Sequence, residues 1–366
     1  MSGGRAKAGA ALAKIAAVSG ALIDPPTLLP ARTILELSGE AVRSRLCTFT
    51  DAMGEEFCLR PDMTTPIASQ VAVGSIPAQR YHYSGSAYRL AAPGSNDAIE
   101  FAQMGFEWFG GGGVDEDAEA LALALEAAKA GGAREVSLRV GDVALFRAVV
   151  DALGFSPRWT ERLKRSFARR AGPKELLEQA ADGLDAPSPL AAGLAALPAE
   201  DARRAVEEIF AIAGVQPVGG RGAAEIAERL CDRAAERAPD AGAAAKLIAY
   251  LDIEAPAGNA LAALRAFTKD AGVDVAALDA FAERMDRIAA LNPPFWKSAT
   301  FSAEAGRRFE YYDGFVFDLG HANAPDRPIG GGGRYDGLVG RLSGNARSSG
   351  AIGAALRVDR LEADRT

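Results

Sequence analysis

The chain has 366 residues, 49% of them apolar and 24% charged, which is enough to bury at least one full core and is incompatible with overall disorder. Its formal net charge of −7 argues against a broad phosphate-binding surface, because nucleic-acid affinity rests on Lys and Arg neutralising phosphates. Cys47, Cys58 and Cys231 are too scattered for a disulfide framework or a Cys-x-x-Cys metal site; they fit reduced thiols, and no metal or cofactor is expected.

Arg5 and Lys7 precede a small-residue, apolar stretch that ends at Ile23 and could pass for a secretory signal. Lys14 interrupts it, and Asp24-Pro25-Pro26 follows without a small-residue cleavage site. No window approaches the ~20 uninterrupted apolar residues of a membrane span, so a cytoplasmic protein is expected, with neither membrane nor nucleic acid as partner. A basic run over 158–170 reads as a solvated helix face, with a local basic patch as the alternative.

Up to about residue 154, strand-like and helix-like patterns alternate. Residues 57–59, 80–83 and 106–109 are rich in aromatic or apolar side chains and predict strands; 115–130 predicts a helix opened by acidic residues, and 135–140 a further strand. Between 155 and 265, Ala, Glu, Arg and Leu dominate, and 199–213 and 223–238 carry apolar residues at helical spacing, which predicts a mainly helical insertion. Beyond 265 a helix over 275–291 leads back to strand signals at 299–301, 310–319 and 351–356. Strands from both ends of the chain around a helical insertion make an α+β fold divided as 1–154, 155–265 and 266–366.

Four segments carry chemistry. In Leu59-Arg60-Pro61-Asp62-Met63-Thr64, Asp62 and Thr64 stand two apart; on an extended segment they share a side, presenting a carboxylate and a hydroxyl to an ammonium. In EFAQMGFE (100–107), Gln103 and Glu107 share one face of a strand. Glu107 beside Phe106 and Trp108 is costly to bury without a partner and so serves a ligand, or it is a salt-bridged strand residue facing solvent. Tyr311 and Tyr312, in RRFEYYDGFVF (307–317), are ligand or packing residues. In GGGRYDGLV (331–339), glycines allow close backbone approach while Arg334 and Asp336 pair to hold a turn.

In this order, and followed by GAIGAALRVDRL (350–361), these segments resemble the core of histidyl-tRNA synthetase, a class II synthetase. The resemblance implies an antiparallel sheet flanked by helices. It also implies a pocket for histidine in which Asp62, Thr64 and Gln103 face the amino group, Glu107 with Tyr311 and Tyr312 surrounds the imidazole, and Arg307 grips the carboxylate. Arg89 and Arg360 match the arginines that hold ATP in such enzymes. Departures accompany them: Asp62 stands where Glu is usual, Arg308 and Glu310 replace Gly and Asp, no basic loop follows Arg89, and Arg357 replaces a glycine that leaves room for the nucleotide.

Only 362–366 follow the last motif, whereas a synthetase carries an anticodon-binding domain there. The chain therefore resembles the regulatory subunits of ATP phosphoribosyltransferase. That resemblance implies a non-catalytic subunit, with no catalytic residues, that binds L-histidine as effector through Asp62, Thr64, Arg89, Gln103, Glu107, Arg307, Tyr311 and Tyr312. It implies a homodimer built near residues 28–46, within a hetero-oligomer with the short-form catalytic subunit for the first step of histidine biosynthesis and its feedback inhibition. The alternative is a truncated ligase forming histidyl-adenylate, for which Arg89, Arg307 and Arg360 speak.

Overall fold

The computed structural model describes residues 2–38, 40–91, 94–95, 97–168, 172–183, 188–213, 223–235, 238–306 and 311–361. In chain order the first part comprises α1 (Ser2–Ala16), β1 (Ala21–Leu22), β2 (Leu28–Pro30), α2 (Ala31–Ser38), β3 (Thr48–Thr50), β4 (Glu56–Leu59), α3 (Thr64–Ala72), β5 (Arg80–Tyr88), β6 (Glu100–Phe109), α4 (Val114–Ala130) and β7 (Val136–Asp142). A helical stretch follows: α5 (Val143–Ala152), α6 (Pro157–Ser166), α7 (Pro173–Ala181), α8 (Pro189–Ala195), α9 (Ala199–Ala213), α10 (Ala223–Ala235) and α11 (Ala241–Leu251). The remainder is β8 (Glu254–Pro256), α12 (Ala260–Ala271), α13 (Ala277–Leu291), β9 (Thr300–Ser302), β10 (Phe315–His321), β11 (Ala324–Arg334), α14 (Gly337–Leu342) and β12 (Ala351–Arg357). Among the described residues no helix is long and apolar enough to cross a membrane.

Nine strands form one sheet in the order β1-β5-β6-β12-β11-β10-β7-β9-β8, and β2-β4-β3 form a small second sheet. From β5 to β7 every pairing is antiparallel, as expected; β1 joins β5, and β9 joins β7, in parallel. The strand expected over 310–319 begins only at Phe315, so Tyr311 and Tyr312 sit in the turn before it. β11 has no counterpart in the sequence reading, because PIGGGGR combines residues poor in strand propensity. Its glycine run is held by pairing on both sides, 330–333 to β10 and 330–334 to β12.

Alternation along β6 divides the two faces of the sheet. Met104, Phe106 and Trp108 join the main core, which α1, α4, α5 and α13 complete with Ile15, Leu121, Phe146 and Phe281. Phe109, in the opposite phase, joins a second core with Ile67 and Val71 of α3 and Leu338 and Val339 of α14. Helices α6, α7 and α11 contribute Leu163, Leu177 and Tyr250 to the main core, whereas α8, α9 and α10 close around their own cluster of Leu194, Val206 and Ala227.

The two halves of the main sheet are fastened by buried charge. Asp117 on α4 is fully buried; one oxygen accepts Arg284 of α13 at 2.7 Å and the other accepts Arg334 of β11 at 2.6 Å. Arg284 also reaches Asp142 at the end of β7, and Arg334 reaches Asp336 at 3.0 Å, the turn-holding pair expected from the motif. Burial pushes the Asp142 carboxyl up, against the opposing pull of Arg284.

Candidate ligand-binding site

On the face of the sheet turned away from α4 lies a cavity of about 360 Å³. It exists because neighbouring strands present almost no side chains there: on the antiparallel register Glu107 faces Gly353, which faces Gly333, while Gly105 faces Ala355, which faces Gly331. A Cβ on Gly353 would collide with the Glu107 carboxylate, and one on Gly331 with the carbonyl of Phe317. The glycine run of β11 is thus the flat floor of a site inside a strand, not a ligand-wrapping loop.

The structure brings six of the sequence-predicted residues to the wall of this one cavity: Asp62, Thr64, Arg89, Gln103, Tyr311 and Tyr312. Glu107 stands immediately behind Thr64. Arg307 lies outside the described residues.

The expectation of an extended segment at Asp62 and Thr64 is corrected. Thr64 opens α3, and Asp62 Oδ1 accepts the Thr65 N–H at 2.8 Å, a carboxylate satisfying a backbone donor at a helix start. Pro66 falls in the first turn, where its missing N–H costs nothing. The helix carries Thr64 over the sheet, where its hydroxyl donates to Glu107 Oε1 at 2.5 Å. The amino-end and ring-end acceptors of the predicted set are therefore neighbours.

Glu107 is 1% exposed, which excludes the solvent-facing reading. Among the described residues its hydrogen-bond partners are hydroxyls and not cations: Thr64, Tyr83 at 3.3 Å from β5, and Tyr335, whose hydroxyl donates to Oε2. Burial pushes the carboxyl up to about 8, with the hydrogen bonds from Thr64 and Tyr335 pulling the other way. Burial likewise raises Tyr83 and Tyr335 well above the ordinary tyrosine range, so all stay hydroxyl donors. The sequence reading missed both tyrosines. Tyr83 carried no motif, though its place opposite Gly105 leaves the room its ring needs. Tyr335 stood within the matched RYD, where only Arg334 and Asp336 were given roles.

Gln103, 6% exposed, lines the cavity with its Oε1 unpartnered among the described residues. An amide oxygen buried without a donor costs about 1–3 kcal/mol unless a ligand supplies one. Tyr311 and Tyr312 pack with centroids 4.8 Å apart, and Tyr311 meets Tyr335 edge-on at 5.7 Å. Arg89 donates from Nε to the Pro61 carbonyl at 2.7 Å, and burial lowers its pKa from the ordinary arginine value while Asp62 opposes that shift.

Beside Gln103, across the pairing of β6 with β12, the wall of the cavity is engaged with itself. The Arg357 guanidinium lies 3.9 Å from the centroid of the Phe101 ring, covering its face, and is held by Asp359. Arg360 donates to Asp97 Oδ1 at 2.5 Å and to the Pro328 carbonyl. Burial would raise the Asp97 pKa, but the hydrogen bond and charge of Arg360 outweigh it and hold the carboxyl low. Phe101 and Asp97 were also missed; Asp97 sits in the loop that the sequence reading had noted only for its lack of cations. Among the described residues no group of three or more His, Cys, Asp or Glu side chains could hold a metal ion.

A family model described as histidyl-tRNA synthetase matches residues 5–243 and 223–361. Proteins named ATP phosphoribosyltransferase regulatory subunit from Brucella canis and Brucella suis are each 34% identical over 356 residues, covering 93% of this chain and 92% of their own length. The chain belongs to this regulatory-subunit family. Solved structures agree in fold: a Bacillus halodurans protein titled ATP phosphoribosyltransferase regulatory subunit/histidyl-tRNA synthetase has a TM-score of 0.66 at 21% identity, over 98% of this chain and 78% of its own. Histidyl-tRNA synthetase from Nostoc sp. gives 0.61 at 14% identity, over 98% and 70%. Like the regulatory-subunit relatives, the chain is matched nearly end to end, so the cavity is a feature of a family member and not of a chance local likeness.

Proposed function

We propose that this chain is the non-catalytic, histidine-sensing subunit of an ATP phosphoribosyltransferase, acting in the cytoplasm with a short-form catalytic subunit in the first step of histidine biosynthesis. Free L-histidine occupies the cavity. Its ammonium meets Asp62, Thr64 and the open Gln103 Oε1; its ring packs against Tyr311 and Tyr312 and directs an N–H toward the Thr64–Glu107 pair; Arg89, together with Arg307, takes the carboxylate. The organisation as 1–154, 155–265 and 266–366, and a homodimer within a hetero-oligomer, belong to the same proposal.

The observation that carries this reading is Gln103 Oε1, buried at the cavity wall with no donor among the described residues, beside Arg357 turned onto Phe101 and Arg360 held through Nη1 and Nη2 by Pro328 and Asp97, its Nε alone left over. Gln103 lacks a donor, while Arg360, one of the two arginines that match those holding ATP, is tied to the chain's own Asp97, and Arg89 is left to the amino acid. A ligase forming histidyl-adenylate needs those cations free to stabilise charge in transit.

The test is co-purification with a short-form catalytic subunit and assay of phosphoribosyl transfer with and without this chain. Activity and histidine sensitivity should both depend on its presence; a catalytic subunit equally active and equally inhibited alone would refute the proposal. Histidine binding by calorimetry without histidine-dependent pyrophosphate exchange is expected, and clear exchange would establish the ligase instead.

A further inference from the structure

A second cavity, also of about 360 Å³, opens between α5, α6 and α14, on the other side of Tyr312 and Gly306, which line both. Its lining is strongly basic: Arg147 from α5, Lys164 and Arg165 from α6 and Arg341 from α14, against one carboxylate, Glu161. In a chain of net charge −7, four cations converging from three helices are not the average surface.

Among the described residues the partners of Arg147 and Arg165 leave the charge of these two uncompensated. Lys164 is neutralised by Asp151 at 2.7 Å. Arg165 donates from Nε only to the backbone carbonyl of Glu161, and Arg147 faces Asp313, whose two oxygens already accept the N–H groups of Asp336 and Gly337. Among the described residues neither Arg147 nor Arg165 has a carboxylate within ion-pair distance. Arg341 donates from Nη2 to the carbonyl of Tyr311 at 3.1 Å, so it ties this cavity to the wall of the first.

We propose that this cavity binds a small phosphorylated metabolite, and that its occupancy weakens the ligand site on the other side of Tyr312. Planar guanidiniums from two helices fit a phosphate's geometry, and the volume falls in the range of small-molecule sites rather than of a polymer-binding surface. A phosphate drawing Arg341 inward competes with its hydrogen bond to Tyr311, which loosens the aromatic wall shared by both cavities. The second clause rests on the histidine reading; the first does not.

The experiment titrates inorganic phosphate, pyrophosphate and glucose 6-phosphate calorimetrically into the full chain at low salt, without histidine. Saturable binding of at least one is expected, weakened at least about tenfold in Arg147→Gln/Arg165→Gln. Arg203→Gln/Arg204→Gln on α9 removes equal charge and should leave it unchanged; Lys164→Gln serves should the first pair fail to fold. Glucose 6-phosphate binding better than the inorganic ions identifies a metabolite, and the reverse identifies the free anion. No saturable binding, equal loss in the α9 pair, or binding of a poly-glutamate peptide without any phosphate would each overturn the site, the last in favour of protein docking. Histidine titrated with the anion saturating should bind about fivefold or more weakly, and unchanged affinity overturns the coupling. Failure of histidine to bind under any condition refutes the functional reading while leaving the anion result standing.

Discussion

Two carboxylates lie at the centre of this molecule with essentially no solvent exposure, and they are satisfied in opposite ways. Asp117 has an arginine on each oxygen, and those arginines reach on to Asp142 and Asp336. Glu107 has hydroxyls from Thr64, Tyr83 and Tyr335. A group completed by opposite charge is finished structure; a group that burial holds as a neutral acid beside an open cavity retains a proton to exchange and chemistry to offer.

The largest effect should come from breaking the finished side. Asp117→Ala leaves two buried guanidiniums uncompensated between α13 and β11 and is expected to cost about 3–5 kcal/mol in chemical denaturation. Glu107→Gln changes a neutral acid for a neutral amide of the same shape and should cost under about 1 kcal/mol, while histidine affinity by calorimetry falls at least about tenfold. If both substitutions proved equally destabilising, the contrast would collapse.

Glu107 also leaves a signature in pH. Its folded pKa near 8 lies above the ordinary 4.5, so from pH 4.5 upward the unfolded chain releases a proton that the folded one keeps. Its contribution is fully present below pH 4.5, is lost progressively as pH rises toward 8, and is flat beyond. Denaturation curves across that window should lose on the order of a few kcal/mol through this group. The difference between wild type and Glu107→Gln isolates it, and identical pH profiles would show that Glu107 is ionised in the fold.

Much of this was legible in the chain, and the failures have physical reasons. Gln103 and Glu107 are four apart on a strand, so the period of two put them on one face whatever the rest of the fold did. The cavity that Gln103 lines and Glu107 stands behind was not legible, because it depends on Gly353 and Gly333 standing beside Glu107 in a register only tertiary pairing sets. The same pairing makes a strand of PIGGGGR against its local propensity. Asp62 and Thr64 were paired correctly on the wrong backbone: a Pro at the third helical position permits a helix start as well as an extended run. Asp97 and Phe101 escaped notice because their roles come from Arg360 and Arg357, both more than two hundred residues away.

An intermediate effect belongs to Gln103. Gln103→Leu replaces the unpartnered amide with an apolar side chain of similar size, which removes a buried orphan and should hold or raise stability. Histidine affinity should fall by roughly 1–2 kcal/mol, since the ligand's ammonium would lose an acceptor. Loss of stability with unchanged affinity would place Gln103 with the finished side of the molecule.

The smallest effect is expected where the chain has already supplied its own partner. Arg357→Ala uncovers the Phe101 ring and frees Asp359; Arg357 stands directly across from Gln103 in the pairing of β12 with β6, but its guanidinium is turned onto Phe101 and Asp359. Histidine affinity should move by less than about 0.5 kcal/mol, as for a solvent-linked pair outside the recognition contacts. The aromatic face, however, becomes available for stacking, and the informative measurement is ATP titrated into wild type and variant. Wild type should show no binding, because a guanidinium occupies the ring and Arg360 is engaged by Asp97. ATP binding by wild type, undiminished by histidine, would mean that this wall of the cavity is not closed after all, and the distinction between completed and waiting groups would no longer hold between cross-strand neighbours Gln103 and Arg357.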